Sequence, residues 1–175
     1  SVAGIPYADT LDARVASPDM RSLVLTEANG RRGETEYLGS FRMDFVSDGL
    51  PMETDVVITG GRVEDLIGMF VDLGDLATGT VEGGALTLYG PLNDLDGTAH
   101  LDLGPTTLAG ERFETGRADG RLHGGTFTLD RIDVRRGVDE GLSLRGSVGR
   151  AWALDMEARG ELRLEHLSAV RDNAI

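Results

Sequence analysis

Residues 152 to 165 place the strongest constraint on the fold, because they alternate without a break. Trp152, Leu154, Met156, Ala158, Gly160, Leu162 and Leu164 are apolar or small, while Asp155, Glu157, Arg159, Glu161, Arg163 and Glu165 between them are charged. Side chains two apart share a face only in an extended chain, so the segment predicts a β-strand with one greasy and one charged surface. At roughly 3.3 Å per residue it would run about 40 Å unless Gly160 bends it. The same habit recurs where Tyr37, Gly39, Phe41, Met43 and Phe45 alternate with Glu36, Leu38, Ser40, Arg42 and Asp44. Shorter runs follow at Leu23 and Leu25, Val56 and Ile58, Leu86 and Leu88, Ala99 to Leu103, Phe127 and Leu129, and Leu142 and Leu144. Parity flips between Leu129 and Ile132, which would turn side chains to the wrong face. A bulge near Asp130–Arg131 restores it.

One stretch has a different period. Val63, Leu66, Ile67, Phe70 and Val71 fall at i, i+3, i+4, i+7 and i+8, with Glu64, Asp65 and Asp72 opposite, so residues 62–73 predict a short amphipathic helix. The expected organisation is one continuous domain of three parts: an N-terminal strand segment over 1–61, the helix within 62–74, and a segment of repeated hairpins over 75–175. Glycine supports this, at 25 of 175 residues and without a three-residue period, which points to turns and bulges rather than collagen. An aliphatic-x-Gly phrase recurs at Leu88-Tyr89-Gly90, Leu95-Asp96-Gly97, Leu108-Ala109-Gly110, Leu122-His123-Gly124 and Leu144-Arg145-Gly146, with Ile58-Thr59-Gly60 upstream. Its spacing varies, so the expectation is a meander of similar hairpins and not a strict solenoid.

Charge and chemistry narrow the function. The 17 cations, all arginine and scattered, against 30 acids leave a net charge of −13, which repels phosphate backbones and sets nucleic acid aside as a partner. The chain has no cysteine, so thiolate metal sites, disulfides and thiol catalysis are excluded. No apolar run reaches the roughly 18–20 residues of a membrane span. Residues 1–6 lack signal-peptide character, and the missing initial methionine points to a segment of a longer protein.

His100, His123 and His166 fall in no metal-ligand spacing, and His100 takes the polar parity of its strand, as a solvated histidine would. Asn93-Asp94-Leu95-Asp96-Gly97 has turn chemistry but lacks the distal ligands of a calcium loop. Gly141-Leu142-Ser143-Leu144-Arg145 fails as a nucleophile elbow at its last position, so Ser143 reads as structural. Gly79 to Gly84 has no lysine to complete a phosphate loop. These observations call for no cofactor and no catalytic group. An amphipathic sheet must still hide its apolar face, and it has two ways to do so. It packs against a second sheet as a closed β-sandwich, or it curls into a gutter whose lining stays open to apolar ligands. The mainly aliphatic character of the inward positions suits either.

The passage Gly83-Gly84-Ala85-Leu86-Thr87-Leu88-Tyr89-Gly90-Pro91-Leu92-Asn93-Asp94-Leu95-Asp96-Gly97-Thr98-Ala99-His100-Leu101-Asp102-Leu103 resembles the recurring G-x-L-x-L-x-G-P-L-x-x-L-x-G-x-A-x-L phrase of the TamB and AsmA-like family of diderm bacteria. Likeness extends over roughly residues 55 to 168, through Leu108-Ala109-Gly110, Gly120-Arg121-Leu122 and Leu142 to Gly146, with the helix placed just before the phrase.

The resemblance implies an all-β fold, a U-shaped antiparallel sheet or β-taco with one short amphipathic helix. It further implies an internal segment of a periplasmic protein anchored in the inner membrane, whose groove shields phospholipid acyl chains on their way to the outer membrane. An Omp85-type outer-membrane partner, TamA, and a role in outer-membrane protein assembly are the other implied association. The expected lining is Leu86, Leu88, Leu101, Leu103, Phe127, Leu129, Ile132, Val134, Leu142, Leu144, Leu154, Met156, Leu162 and Leu164. A closed surface or adhesive β-domain is the remaining alternative.

Overall fold

The computed structural model describes residues 8–67, 77–124, 126–148 and 154–163. They form one antiparallel sheet built from β1 (Thr10–Ala16), β2 (Ser22–Arg32), β3 (Thr35–Asp44), β4 (Pro51–Arg62), β5 (Ala77–Pro91), β6 (Asp96–Leu108), β7 (Glu111–Phe113), β8 (Thr115–His123), β9 (Thr126–Arg136), β10 (Glu140–Val148) and β11 (Leu154–Glu161), with one helix, α1 (Val63–Ile67). Strand order is the chain order, β1 to β6 and then β8 to β11, with β7 pairing the far end of β6. The sheet curls without closing. Ten strands at about 4.8 Å spacing make it roughly 40 Å wide. Of the two ways to hide an apolar face, the chain takes the curled one.

The expected strands form where alternation places them. β11 ends at Glu161, just past Gly160, and Leu164 lies outside the described residues. α1 occupies the start of the expected helix, and residues 68–76 of that segment fall outside the described residues. β4 and β5 pair with each other across it, so the sheet runs unbroken from one side of the helix to the other.

The parity flip in β9 is a bulge. Asp119 faces Arg131 and Gly120 faces Leu129, leaving Asp130 as the extra residue. Further irregularities fall in β2 between Leu25 and Ala28, where Glu27 has φ 51°, and in β5 between Val81 and Gly83. Each adds local twist and bending to the strand that carries it, which favours a curled sheet over a flat one.

The strands' two ends differ. At one edge lie the turns at 17–21, 45–50 and 92–95, joined backbone to backbone by Phe45 N–H to the Arg21 carbonyl (2.8 Å) and Leu92 N–H to the Gly49 carbonyl (2.9 Å). The segment 93–97 belongs to a turn, with Asp94 N–H donating to the Pro91 carbonyl. At the opposite edge lie α1 and the tight Ala109–Gly110 turn, whose φ values of 49° and 84° suit a two-residue hairpin. Here the core is densest. Ile58, Val63, Val81, Leu103, Phe113 and Val134 are buried together, with Leu66 of α1 packed on them. Two α1 carboxylates pin the helix: Asp65 accepts from Glu34 N–H (2.9 Å) and the Thr35 hydroxyl (3.1 Å), and Glu64 accepts from Gly79 N–H (3.1 Å).

Candidate functional site

Antiparallel partners point to the same side, so the register shows which residues share a face. One row crosses the sheet as Leu142, Val134, Gly116, Leu103, Val81 and Gly61. The next reads Leu144, Ile132, Ala118, Leu101, Gly84, Ile58 and Tyr37. A third is Leu129, Gly120, Ala99, Leu86, Val56, Gly39 and Ala28. A fourth is Phe127, Leu122, Gly97, Leu88, Thr54, Phe41, Leu25 and Val15. These four rows carry no charge and run from β1 to β10, with Arg136 and Glu140 beyond the first of them.

Ten of the fourteen expected lining residues stand in these rows: Leu86, Leu88, Leu101, Leu103, Phe127, Leu129, Ile132, Val134, Leu142 and Leu144. In β11 the backbone of Leu154 pairs with Val148 and that of Met156 with Gly146. Leu162 is half-buried against the core cluster, and Leu164 lies outside the described residues. The expected lining left out Val81, Ala118, Leu122, Phe41 and Leu25, which belong to the same face, although Phe41 and Leu25 stood in alternating runs. Leu122 faces Gly97 and Val81 faces Gly61, so glycine in the neighbouring strand was a signal for those two. A Cβ at Gly97 would stand 2.6 Å from Leu88 Cδ2, and one at Gly120 would stand 2.6 Å from Phe127 Cζ. Large side chains of one strand thus lie across bare backbone of the next, giving a smooth surface. Gly97 and Gly146 sit within strands, whereas Gly110 and Gly124 close turns, so the recurring phrase marks two different uses of glycine.

Exposure along this face is graded. In the row nearest α1, Val134 is 1% exposed and Val81 3%, while Phe127 at the other end of β9 is 38% exposed; on the β3 side the gradient is broken by Met43, which is buried near its turn. α1 and Phe113 cover the first edge. Arg136 completes that closure, lying 5.4 Å over the Phe113 ring, 3.1 Å from Glu111 and 3.7 Å from Glu140. Among the described residues no second sheet covers the remaining rows, where Ile58 and Ala28 are buried but Leu144, Ile132, Leu101, Leu129, Leu86, Leu122 and Leu88 stay partly exposed.

The other face is a lattice of ion pairs across strands. Arg117 meets Asp102 at 3.2 Å, Arg121 meets Asp130 at 2.5 Å, and Glu157 is shared by Arg145 and Arg159 at 2.6 Å each. His100 faces outward as its parity requires, but it is held, with Nδ1 2.6 Å from Asp119 and Nε2 3.4 Å from Asp102. The Ser143 hydroxyl donates to Asp133 at 2.6 Å. A shallow depression of about 280 Å3 on this face is lined by Thr87, Thr98, His100, Asp119 and Arg121, with its charges paired among themselves. Among the described residues, no helix is long and apolar enough to cross a membrane.

Several carboxylates are tuned by these contacts. Burial pushes the Asp133 carboxyl up, but the Ser143 hydroxyl and the Arg131 guanidinium outweigh it and hold the group below its ordinary value. For Glu64, burial is likewise outweighed, by backbone N–H groups and Arg62. A depressed folded-state pKa adds stability that is complete above the unfolded value and lost as pH falls through the folded one. The expected urea midpoint is therefore flat from neutral pH to about 5 and falls below about 4, the ordinary carboxylate range. Asp133→Asn, measured by the same titrations, should show a shallower acid decline than wild type.

Comparison with family models, with curated proteins and with solved structures finds no match for this chain.

Proposed function

We propose that the apolar face is a lipid trough, shielding phospholipid acyl chains while their headgroups remain in water. One observation carries this reading: four charge-free rows across neighbouring strands that, among the described residues, no second layer seals and that stay partly exposed away from α1. Moving a lipid through water costs about 0.8 kcal/mol per exposed methylene, or on the order of 12 kcal/mol for a chain of about 16 carbons, and an apolar trough removes most of that barrier. The work is transfer along a surface, with no chemical step and no cofactor. The phrase at residues 83–103 supports the wider setting, a segment of an inner-membrane-anchored TamB/AsmA-like protein carrying phospholipid across the periplasm to the outer membrane.

Mass spectrometry of gently purified protein tests this, and the expected result is co-purifying phospholipid. Leu88→Arg combined with Phe127→Arg, at the open edge, should leave the circular dichroism spectrum and urea midpoint near wild type and remove the bound lipid. Lipid-free wild-type protein, or collapse of the fold in that variant, would count against the trough.

Among the described residues β1 pairs only with β2, and this edge favours a second reading. An unpaired edge strand is a template for β-augmentation, as an assembly scaffold working with an Omp85-type partner would need. Crosslinks from β1 to nascent barrel strands, without bound lipid, would point that way.

A further inference from the structure

We infer that the hairpin-tip edge of the sheet is a docking surface for a neutral lipid bilayer, a step that rests on the trough reading and names the source from which the trough fills. Exposed large apolar side chains gather at this edge. Met20 is 93% exposed at the β1–β2 turn, and Phe45, Val46 and Leu50 are 52%, 56% and 38% exposed at the β3–β4 turn. The carboxylates of the same turns are bonded to their own turns while staying in water, and Asp48 is exposed beside them. Asp19 accepts from the backbone and hydroxyl of Ser22 and from Arg21 N–H, and Asp44 does the same with Ser47 and Val46 N–H.

The tips are also fixed relative to one another, since the first two turns are bonded through Phe45 N–H and the Arg21 carbonyl. They lie at the end of the apolar face opposite α1, Phe113 and Arg136, with Met43 of β3 buried between them and the half-exposed Phe41. A lipid leaving a bilayer at this edge would therefore pass from one apolar surface to another. Separate exposed apolar side chains on two turns fit the boundary between headgroups and hydrocarbon. The net charge of −13 disfavours an anionic membrane and disfavours a second copy of the chain.

Co-sedimentation of the 175-residue chain with phosphatidylcholine vesicles tests this. Wild type should bind, and vesicles containing phosphatidylglycerol should bind less. The combination Met20→Ser, Phe45→Ser, Val46→Ser and Leu50→Ser should weaken binding by at least about tenfold, given the apolar area removed. Because the chain has no cysteine, a second measurement is site-specific. An environment-sensitive dye on Met20→Cys should shift to the blue with phosphatidylcholine vesicles, while the same dye on Asp139→Cys, at the far edge, should not. Equal binding by the four-site variant, no binding by wild type, equal shifts at both labels, or a wild-type dimer that the four substitutions dissociate would each overturn the inference. Phospholipid bound to the purified protein is scored separately, so the docking edge can fail while the trough stands.

Discussion

Deleting Asp130 should abolish the native fold, whereas Asp130→Ala should leave stability within about 1 kcal/mol of wild type. The substitution removes one ion pair, with Arg121, whose guanidinium is well exposed, and such pairs contribute roughly 0–1 kcal/mol. Deletion acts on geometry. Asp130 is the extra residue that lets Phe127 and Leu129 share a face with Ile132 and Val134. Without it, β9 must turn one of those pairs to the charged side, and β8 and β10 on either flank lose their match. Loss of several half-buried and buried apolar contacts, at about 1.5–3 kcal/mol for a fully buried side chain, is comparable to the whole stability of a domain. Circular dichroism and urea denaturation of the two variants provide the comparison, and a folded deletion variant would mean the bulge is dispensable.

Phe113→Ala is expected to cost about 3–5 kcal/mol, the largest effect of any single side-chain truncation in the sheet. Phe113 is fully buried, packs in the cluster with Val134 and Leu103, and supports the Arg136 guanidinium above its ring. Phe127→Ala removes a side chain of the same size from the same face, yet it should cost about 1 kcal/mol or less, because Phe127 is already 38% exposed. Urea midpoints of the pair test the gradient directly. Equal losses would show that the two ends of the face are equally covered.

Much of this architecture is legible in the sequence. Alternation identified eight segments as strands, and the parity change after Leu129 located a bulge that the register places at Asp130. β8 escaped because its inward positions, Gly116, Ala118 and Gly120, carry almost no side chain and so leave no hydrophobic pattern, although its outward Arg117, Asp119 and Arg121 do alternate. The bulge at Glu27 escaped for a related reason, since the flip from Leu25 to Ala28 and Gly30 is visible only once small residues are known to face inward.

Membership of the apolar face was largely legible from period alone. Coverage of that face was not. Whether a leucine on an amphipathic strand is sealed or open depends on what crosses above it, and here Phe113, α1 and Arg136 come from three different places in the chain. No local pattern distinguishes Val134 from Phe127, yet one is core and the other is rim.

The up-and-down order of the strands has a consequence for how the molecule comes apart. Neighbours in space are neighbours in sequence, so each hairpin depends mainly on the two beside it, and cooperativity should decay along the array as in a one-dimensional stack. Amide hydrogen exchange would then be fastest in the outermost strands and slowest around β5 and β6, with unravelling that advances inward by one hairpin at a time. Such a protein can lengthen by repeating a hairpin without redesigning those already in place.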